Sequence, residues 1–300
     1  MYAFRMNRRT FLQSSLVLAA SSLPVGALAQ QRKIERIGLQ LYSVRDLMKA
    51  DVPGTLAKVA AIGFKEVEFA GLFGQSPKDV RAALDKNGLS APAAHVDWVT
   101  MDTKLPETLE AAKVLGHRFL IIPWIGEEER KHPDIWKKAA DLFNRVGAQT
   151  ARAGIQFAYH QHGFEFVPAD SLGGKLPYDY LLENTDPKLV QMELDICWTV
   201  AAGKDPAAYF GKYPARFPLI HVKDWLQNGA DAKAYAGALG PGTKFTGQMA
   251  NVGAGSIDWK KVFAAAEKGG VKHFIVEHDA PKAPLDDMAA SFNYVRDLRY

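Results

Sequence analysis

The sequence predicts a single-domain (β/α)8 barrel, the TIM barrel fold, behind an N-terminal export signal. Two kinds of segment alternate along the chain: short apolar or β-branched runs, and longer amphipathic runs of helical periodicity. Eight short runs occur, and most begin roughly 25 to 37 residues after the preceding one, which is the length of one β-α unit. Eight such units without a dividing linker are typical of a closed parallel barrel.

Residues 1–29 have the features of an export signal. Residues 8–12 are Arg-Arg-Thr-Phe-Leu, which resembles a twin-arginine motif. An apolar run covers residues 12–23, and residues 27–29 form a small-x-small cleavage site. The apolar run is too short to span a bilayer comfortably. The sequence therefore predicts the twin-arginine export machinery as a partner, no stable membrane anchor after cleavage, and a periplasmic or otherwise exported location.

The mature chain is nearly neutral and has one cysteine. The signal contains Arg5, Arg8 and Arg9 and no acidic residue, so 37 − 3 = 34 basic residues face 33 acidic residues, a net charge of +1. This balance gives no general electrostatic reason to bind nucleic acid. Cys197 is the only cysteine, which excludes an intrachain disulfide and a cysteine-rich zinc site, and we expect it to be a small buried residue.

The eight predicted strands are short and rich in Val, Ile, Leu, Phe and Ala, as expected for strands buried on both faces of a parallel sheet. They cover residues 37–42, 66–70, 90–95, 118–123, 155–160, 190–195, 218–222 and 273–277.

Amphipathic segments between these strands predict the helices. The clearest cover residues 52–61, 78–87, 136–153 and 259–268. A glycine precedes the next strand at several of these junctions, at positions 63, 88, 116, 154 and 270. Glycine is favoured just past a helix C-terminus because it accepts the left-handed backbone conformation required there. The repeated order of helix, glycine and strand supports the β-α repeat.

A doubly wound open sheet is the alternative α/β fold. That fold usually has a glycine-rich phosphate-binding turn after its first strand, and no such turn follows Tyr42. The longest gap between predicted strands contains residues 225–258, rich in Gly, Ala and Lys. Long loops of this kind often cover the mouth of a barrel, so we expect this one to cover a bound substrate.

Four acidic or imidazole side chains mark the ends of the last four predicted strands: Glu165, Asp195, His221 and Glu277. Because the C-terminal strand ends of a barrel meet at one mouth, these side chains should converge. A lone acid at a strand end is most often a helix cap or an ion-pair partner, and a lone histidine after an apolar run is more often a core residue. Together they predict a divalent-metal site, with Mn²⁺ as the first expectation and Mg²⁺, Co²⁺ or Zn²⁺ as alternatives.

Other side chains near the predicted strand ends should line the same mouth and contact a substrate. They are Gln40, Glu68, His95, Trp124, His160, His162 and Lys223. Aromatic faces, amides and imidazoles are a combination that suits a sugar. His160 and His162 are also alternatives to Glu165 as a metal ligand, or supports behind it. Lys223 is equally consistent with a surface lysine.

Seven segments, spread over essentially the whole mature chain, carry a family resemblance. They are residues 38–45 (GLQLYSVR), 63–69 (GFKEVEF), 159–166 (YHQHGFEF), 193–195 (ELD), 221–224 (HVKD), 252–259 (VGAGSIDW) and 276–279 (VEHD). With them the chain resembles the sugar phosphate isomerase/epimerase family of xylose isomerase-like barrels. The resemblance implies that Glu165, Asp195, His221 and Glu277 bind the metal. It also implies one departure, because many relatives have Gly-Glu-Gly where this chain has Gly-Ala-Gly at residues 253–255.

The resemblance implies proton abstraction next to a carbonyl through a metal-stabilised enediolate, with Glu165 and Glu277 as bases. The first expectation is a sugar isomerase or epimerase acting on a small carbohydrate. A lyase or dehydratase acting on a 3-keto sugar or 3-keto-glycoside is an alternative with the same site. A non-catalytic periplasmic carbohydrate-binding protein is a second alternative. The near-neutral mature charge and the export signal argue against the abasic-DNA endonucleases of this superfamily, and the oligomeric state stays open.

Overall fold

The computed structural model describes residues 32–240 and 246–300. The predicted signal peptide, residues 1–29, lies outside the described residues. The chain from Arg32 to Tyr300 is one compact unit. Within the described ranges, no helix combines the length and the apolar character that a membrane crossing needs.

The strands of the described residues form one closed barrel and one separate hairpin. In chain order they are β1 (Ile37–Gln40), β2 (Glu66–Phe69), β3 (Ser90–His95), β4 (Phe119–Ile122), β5 (Gln156–His160), β6 (Val190–Asp195), β7 (Leu219–Val222), β8 (Asp224–Asp231), β9 (Thr246–Ala250) and β10 (His273–Val276). All strands except β8 and β9 pair in parallel, and β10 closes the ring between β7 and β1. The predicted (β/α)8 barrel is therefore confirmed.

The helices surround the barrel. They are α1 (Arg45–Ala50), α2 (Val52–Ile62), α3 (Pro77–Lys86), α4 (Trp98–Thr103), α5 (Leu105–Leu115), α6 (Glu127–Arg130), α7 (Ile135–Arg152), α8 (Pro177–Asn184), α9 (Ile196–Ala201), α10 (Pro206–Lys212), α11 (Ala236–Leu239), α12 (Trp259–Gly269) and α13 (Pro284–Asp297). Short 3-10 helices cover Leu41–Val44, Phe164–Phe166, Asp170–Leu172 and Ala232–Tyr235. Gly116 and Gly270 end α5 and α12 in the left-handed conformation, as the sequence pattern predicts.

Side-chain alternation along the strands separates the interior of the barrel from the layer beneath the helices. On β5, Ala158 belongs to a small apolar cluster inside the barrel, and His160, two residues further on, lies among the polar groups of the interior. Tyr159 between them points outwards and packs on Phe143 of α7. The inner apolar cluster also contains Ala93, Ile121 and Leu219, and it supports the polar groups at the C-terminal end of the barrel.

The segment between β7 and β10 is built around one buried carboxylate. Asp224 accepts hydrogen bonds from the backbone amides of Gly253, Gly255 and Ile257, and from the indole of Trp259. This ties the turn after β9 to the start of β8. The described part of the segment is therefore an ordered hairpin with short helices. Its Ala238 lines a cavity at the C-terminal end of the barrel.

We expect Gly255→Ala to destabilise the protein by about 2–4 kcal/mol. A Cβ atom at Gly255 would lie 2.1 Å from Oδ1 of Asp224, so the carboxylate would have to leave its donors. Urea unfolding of the purified protein measures the change. The exposed neighbour offers a control, since Ala254→Ser should change the free energy of unfolding by less than about 0.5 kcal/mol. Equal stability of the two variants would contradict this role of Asp224.

Candidate metal centre and substrate cavity

Three of the four predicted ligands converge at the C-terminal end of the barrel. Asp195 is the last residue of β6 and lies in register with His221 of β7, and Glu277 directly follows β10. One ligand atom from each residue can be chosen so that the three atoms lie within 4.8 Å of one another. All three residues are buried. Two carboxylates and an imidazole at this spacing are a donor set for a divalent ion.

Glu165 is not brought together with these three residues. The chain turns after β5, and the carboxylate accepts hydrogen bonds from the hydroxyl of Tyr159 and, at 2.9 Å, from the amide of His162. Because Tyr159 packs on Phe143 of α7, the carboxylate of Glu165 faces the helix layer. Burial there raises the pKa of Glu165 to about 7.

His160 of β5 is placed where Glu165 was expected. Its Nδ1 lies 3.1 Å from Oε2 of Glu193, and its Nε2 lies 3.9 Å from Oδ2 of Asp195. Since a carboxylate accepts, Nδ1 carries the proton and Nε2 presents its lone pair. Burial, together with the nearby His221, lowers the pKa of His160 to about 3, which keeps the ring neutral as a ligand must be. Of the predicted alternatives, His160 is thus oriented towards the cluster.

Glu193 is a site residue that the sequence analysis missed. Its Oε2 lies 2.8 Å from Nε2 of His95 and 3.2 Å from Nε2 of His221, in addition to its contact with His160. Burial would raise the pKa of Glu193, but the imidazoles, His221 foremost, hold it well below its ordinary value. The signal was present in the sequence, since Glu193 and Asp195 are two residues apart on a strand and share its inner face.

A lower layer of polar groups supports the ring of His221. Nε2 of His221 lies 2.7 Å from Oε2 of Glu68, and the amide of Gln40 donates to the same oxygen at 2.7 Å. The Nδ1 atom of His221 lies 2.7 Å from Oε2 of Glu277. An imidazole that binds a metal through one nitrogen commonly donates its other N–H to a carboxylate. Glu68 and Glu193 are placed to accept that proton.

The groups His95, His160, Glu193 and His221 also have ligand atoms within 4.8 Å of one another. Two overlapping donor sets therefore share His221. We call Asp195, His221 and Glu277 the upper set, because Glu277 lines the cavity at the C-terminal end of the barrel. The other group is the lower set, and its Glu193 does not line that cavity. An ion in the upper set can meet a substrate, and the lower carboxylate then orients the imidazoles.

Lys223 lies among three carboxylates at the edge of the cavity. Its Nζ is 3.0 Å from Oδ2 of Asp195, 2.7 Å from Oε2 of Glu277 and 2.8 Å from Oδ1 of Asp279. Burial would lower the pKa of Lys223, but the three acids, Asp195 foremost, raise it well above 10.5. The side chain is therefore a buried, charged ammonium group and not a surface lysine.

Buried acceptors without a hydrogen-bond partner test whether a cation fits here. Among the described residues, Oε1 of Glu68, Oε1 of Glu193 and Oδ2 of Asp195 are such atoms. Lys223 is close to Asp195 but lacks hydrogen-bond geometry towards it. Buried polar atoms are normally satisfied, and the cluster holds five carboxylates and one lysine when Glu277 and Asp279 are included. The donor set and its excess negative charge fit a divalent cation.

A cavity of about 790 Å³ opens at this end of the barrel. Five of the predicted substrate-contacting residues line it: His95, Trp124, His160, His162 and Lys223. Gln40 and Glu68 do not, because they lie fully buried beneath the cluster. Nδ1 of His162 is buried without a hydrogen-bond partner, and Trp124 packs edge-on against the His162 ring. The cavity thus offers aromatic, imidazole and charged groups in one wall.

The profile of the Xylose isomerase-like TIM barrel family matches residues 56–298. The chain is 27% identical over 249 residues to an inosose dehydratase of Lacticaseibacillus casei, covering 74% of this chain and 80% of that protein.

Among solved structures, a sugar phosphate isomerase/epimerase from Parabacteroides distasonis ATCC 8503 matches with a TM-score of 0.68 and 25% identity. The match covers 92% of this chain and 96% of the chain of that structure. The IOLI protein with a bound zinc atom matches with a TM-score of 0.65 at 14% identity, over 86% of this chain and 95% of its own, and so shows the fold. The comparisons and the donor set together describe a sugar-modifying barrel with a candidate divalent-metal site.

We expect Asp195→Asn and His221→Ala to lower divalent-metal affinity by at least about 100-fold. Each change removes a donor atom from the upper set. Glu165→Gln is the matched control and should retain the affinity of the unchanged protein, because Glu165 faces the helix layer. Calorimetric titration with Mn²⁺ and Zn²⁺ measures the affinities. Loss of binding in Glu165→Gln alone would show that Glu165 is the ligand after all.

The raised pKa of Glu165 predicts a pH dependence of stability. The folded state binds the proton more tightly than the unfolded state, so stability should fall as pH rises from 4.5 through about 7. This interval corresponds to roughly 3 kcal/mol. Glu165→Gln should remove that slope while other groups titrate as before.

Urea unfolding of both proteins between pH 4.5 and 7.5, in metal-free buffer, tests this dependence. The difference in unfolding free energy between Glu165→Gln and the unchanged protein should grow with pH in favour of the variant. A difference that stays constant with pH would mean that Glu165 titrates at its ordinary value.

Proposed function

Because the chain belongs to the xylose isomerase-like TIM barrel family, we propose that it is a divalent-metal-dependent enzyme acting on a keto sugar. In this proposal it removes the proton beside the carbonyl and then expels a leaving group from the next carbon. The observation that carries the proposal is the convergence of Asp195 and His221 on Glu277, which together with Lys223 lines the cavity.

Asp195, His221 and Glu277 would hold the ion, with Nε2 of His160 as a further donor. When bound, the ion supplies Lewis-acid polarisation of the substrate carbonyl. Two imidazoles beside two carboxylates favour Mn²⁺, Co²⁺ or Zn²⁺ over Mg²⁺, which prefers oxygen ligands. The zinc atom bound by the IOLI protein supports a metal of this kind.

Glu277 is the base in this proposal. Its Oε2 holds His221 and Lys223, whereas Oε1 has no hydrogen-bond partner among the described residues and belongs to a residue that lines the cavity. Oε1 takes the proton as the C–H bond breaks, and the electron pair moves onto the carbonyl oxygen to form an enediolate.

Lys223 is the group that meets the developing negative charge. Its ammonium is fixed by Asp195, Glu277 and Asp279 and lines the cavity. A preorganised cation stabilises charge that appears only in the transition state. Lys223 can also hydrogen-bond the leaving oxygen when the enediolate collapses and the carbon–oxygen bond breaks. The proton taken by Glu277 then returns to the departing group, which balances the reaction.

Elimination is preferred to epimerisation because only one of the two predicted bases faces the cavity. Epimerisation needs a proton donor on the opposite side of the carbon, and Glu165 was expected to be that group. Its carboxylate faces the helix layer instead. The inosose dehydratase of L. casei, named for loss of water, agrees with elimination.

Epimerisation is the second candidate. His162 lines the cavity with an unpartnered Nδ1, so it could return a proton from a different direction than Glu277. Burial, with His160 and Lys223, holds the pKa of His162 well below 6.5, which makes it a weak base. The P. distasonis relative, named an isomerase/epimerase, supports this alternative.

The proposal includes the exported location expected from residues 1–29. A periplasmic enzyme would meet free sugars and glycosides. The nearly neutral mature chain supports a small-molecule carbohydrate as the partner and gives no support for nucleic acid.

The test is incubation of the metal-loaded protein with 3-keto-glucosides in D₂O, followed by NMR. Elimination should release alcohol or water and leave an unsaturated keto sugar. Epimerisation would instead give a new stereoisomer that carries one deuterium. Glu277→Gln should lower the rate by about 10²–10⁴-fold, since it removes the base. Glu165→Gln is the control and should stay within a few-fold of the unchanged protein.

Two results would overturn the proposal. One is a metal-loaded protein that binds a keto sugar but neither exchanges a proton nor forms a product, which would favour a binding protein. The other is full activity in Glu277→Gln, which would assign the base elsewhere.

A further inference from the structure

The main cavity continues beyond the acid–imidazole cluster into the layer between barrel and helices. Six of its lining residues are apolar and belong to β2, β3, β4 and α5: Phe69, Ala94, Leu120, Ala111, Ala112 and Leu115. We call this part the apolar chamber. It is continuous with the mouth, because the same cavity is lined by His160, Lys223 and Glu277.

The chamber exists because small residues face each other across two elements. Strand alternation places Ala94 on the outer face of β3, since its neighbour His95 points into the barrel. Ala111 and Ala112 of α5 lie opposite and have no bulk beyond Cβ. Phe69, Leu115 and Leu120 form the floor of the chamber and are each 1% exposed, whereas Ala111 is half-buried. Because protein interiors are normally packed without large voids, a cavity that extends between a strand and its covering helix indicates a binding site.

The whole cavity, mouth and apolar chamber together, is larger than the sugar alone requires. A cavity of about 790 Å³ is within the range of sites for ligands of drug size, and one pyranose ring fills only a part of it. The polar part near Glu277 and Lys223 suits that ring. The remainder suits a second, apolar group joined to it.

Charge disfavours a phosphate as the occupant, and desolvation disfavours an oligosaccharide. Among the described residues that line the cavity, Lys223 is the one lysine or arginine, and three carboxylates already surround it. Burying apolar area contributes about 25 cal/mol per Å², whereas a sugar hydroxyl there would lose hydrogen bonds to water without replacement.

His117 supplies one polar atom to the wall of the chamber, and the half-buried Thr108 of α5 supplies a hydroxyl that donates to the carbonyl oxygen of Lys104. Nδ1 of His117 lies 2.7 Å from the carbonyl oxygen of Ala91, so Nδ1 donates and Nε2 is an acceptor when the ring is neutral. Burial lowers the pKa of His117, which favours the neutral ring. Nε2 makes no hydrogen bond to the described residues, and the ring packs 5.9 Å from Phe69. An acceptor in an apolar wall favours a ligand with a hydroxyl at that position.

We propose that the apolar chamber binds the aglycone of a keto-glycoside, an aromatic ring that carries a hydroxyl group. The inference rests on the proposed function for the sugar part of the substrate. The ring packs against Phe69, Ala94 and Leu120, and its hydroxyl donates to Nε2 of His117. The chamber thereby determines which glycosides the enzyme accepts, while the metal centre determines what happens to the sugar.

The test compares three 3-keto-β-D-glucopyranosides, with methyl, phenyl and 4-hydroxyphenyl aglycones. Calorimetric dissociation constants are measured on the metal-free protein with every cavity side chain unchanged, so that binding is read without turnover. The phenyl compound should bind at least about tenfold more tightly than the methyl compound, and the hydroxyphenyl compound more tightly still.

Two further changes, each made in the otherwise unchanged metal-free protein, locate the effect. Ala111→Phe should fill the chamber, abolish the preference for aryl compounds and leave methyl binding within about twofold. His117→Phe should remove only the advantage of the hydroxyl. Ala82→Phe, at an exposed position on α3, is the matched control and should change none of these constants. Unfolding curves confirm that each variant is folded.

The outcomes separate this inference from the proposed function. Equal binding of methyl and aryl compounds, or an aryl preference that survives Ala111→Phe, would overturn the chamber and leave the reaction untouched. An aryl preference that Ala111→Phe removes, in a protein that turns over none of the three compounds, would support the chamber and overturn the proposed reaction.

Discussion

The imidazole of His221 joins two layers of buried carboxylates, and the whole site depends on this bridge. Its Nδ1 faces Glu277 and its Nε2 faces Glu68, each at 2.7 Å. Burial would lower the pKa of His221, but Glu193 and Glu277 raise it well above 6.5, so without an ion both nitrogens donate to carboxylates. To bind an ion the ring must release one proton, because a neutral imidazole has one N–H and one lone pair. The lower layer fixes which nitrogen keeps its proton. Glu68 and Glu193 accept from Nε2, so Nδ1 is the nitrogen that would bind an ion beside Asp195.

Barrel geometry makes this concentration of charge possible. An apolar cluster fills the barrel interior beneath the polar layers and excludes water from that side of the site. It consists of Ala93, Ile121, Ala158 and Leu219. In such surroundings unpaired carboxylates are costly, because burial disfavours the charged form. The response differs between neighbours: burial and the charge of Glu193 raise the pKa of Glu68, whereas the imidazoles keep Glu193 ionised. A buried ammonium on Lys223 offsets part of the negative charge, and a divalent cation bound beside Asp195 and Glu277 would offset more of it.

Sequence periodicity predicted the barrel and the residues that end its strands, and both are properties of local pattern. Asp195, His221 and Glu277 converge because each ends or adjoins a parallel strand. Glu165 lies five residues beyond the end of β5, in a turn whose direction depends on contacts with Tyr159 and α7 that no local pattern encodes. Glu193 could have been found, because period two places it beside Asp195. The apolar chamber could not, since it depends on small residues of β3 and α5 that meet only in the folded chain.

The departure of Glu165 from the cluster changes the chemistry that the fold can support. With carboxylate bases on two sides of a carbon, a proton removed from one face can return to the other. Glu277 and Asp279 line the cavity beside the fixed cation of Lys223, whereas Asp97, the remaining carboxylate of the lining, accepts from the amide of Thr100 at the start of α4. In the proposed reaction, charge concentrated on the side of Glu277 stabilises an enediolate and the departure of a neighbouring oxygen better than it inverts a centre. The proposal therefore attributes the preference for elimination to the position of one carboxylate, which a tyrosine on the outer face of β5 holds away from the cluster.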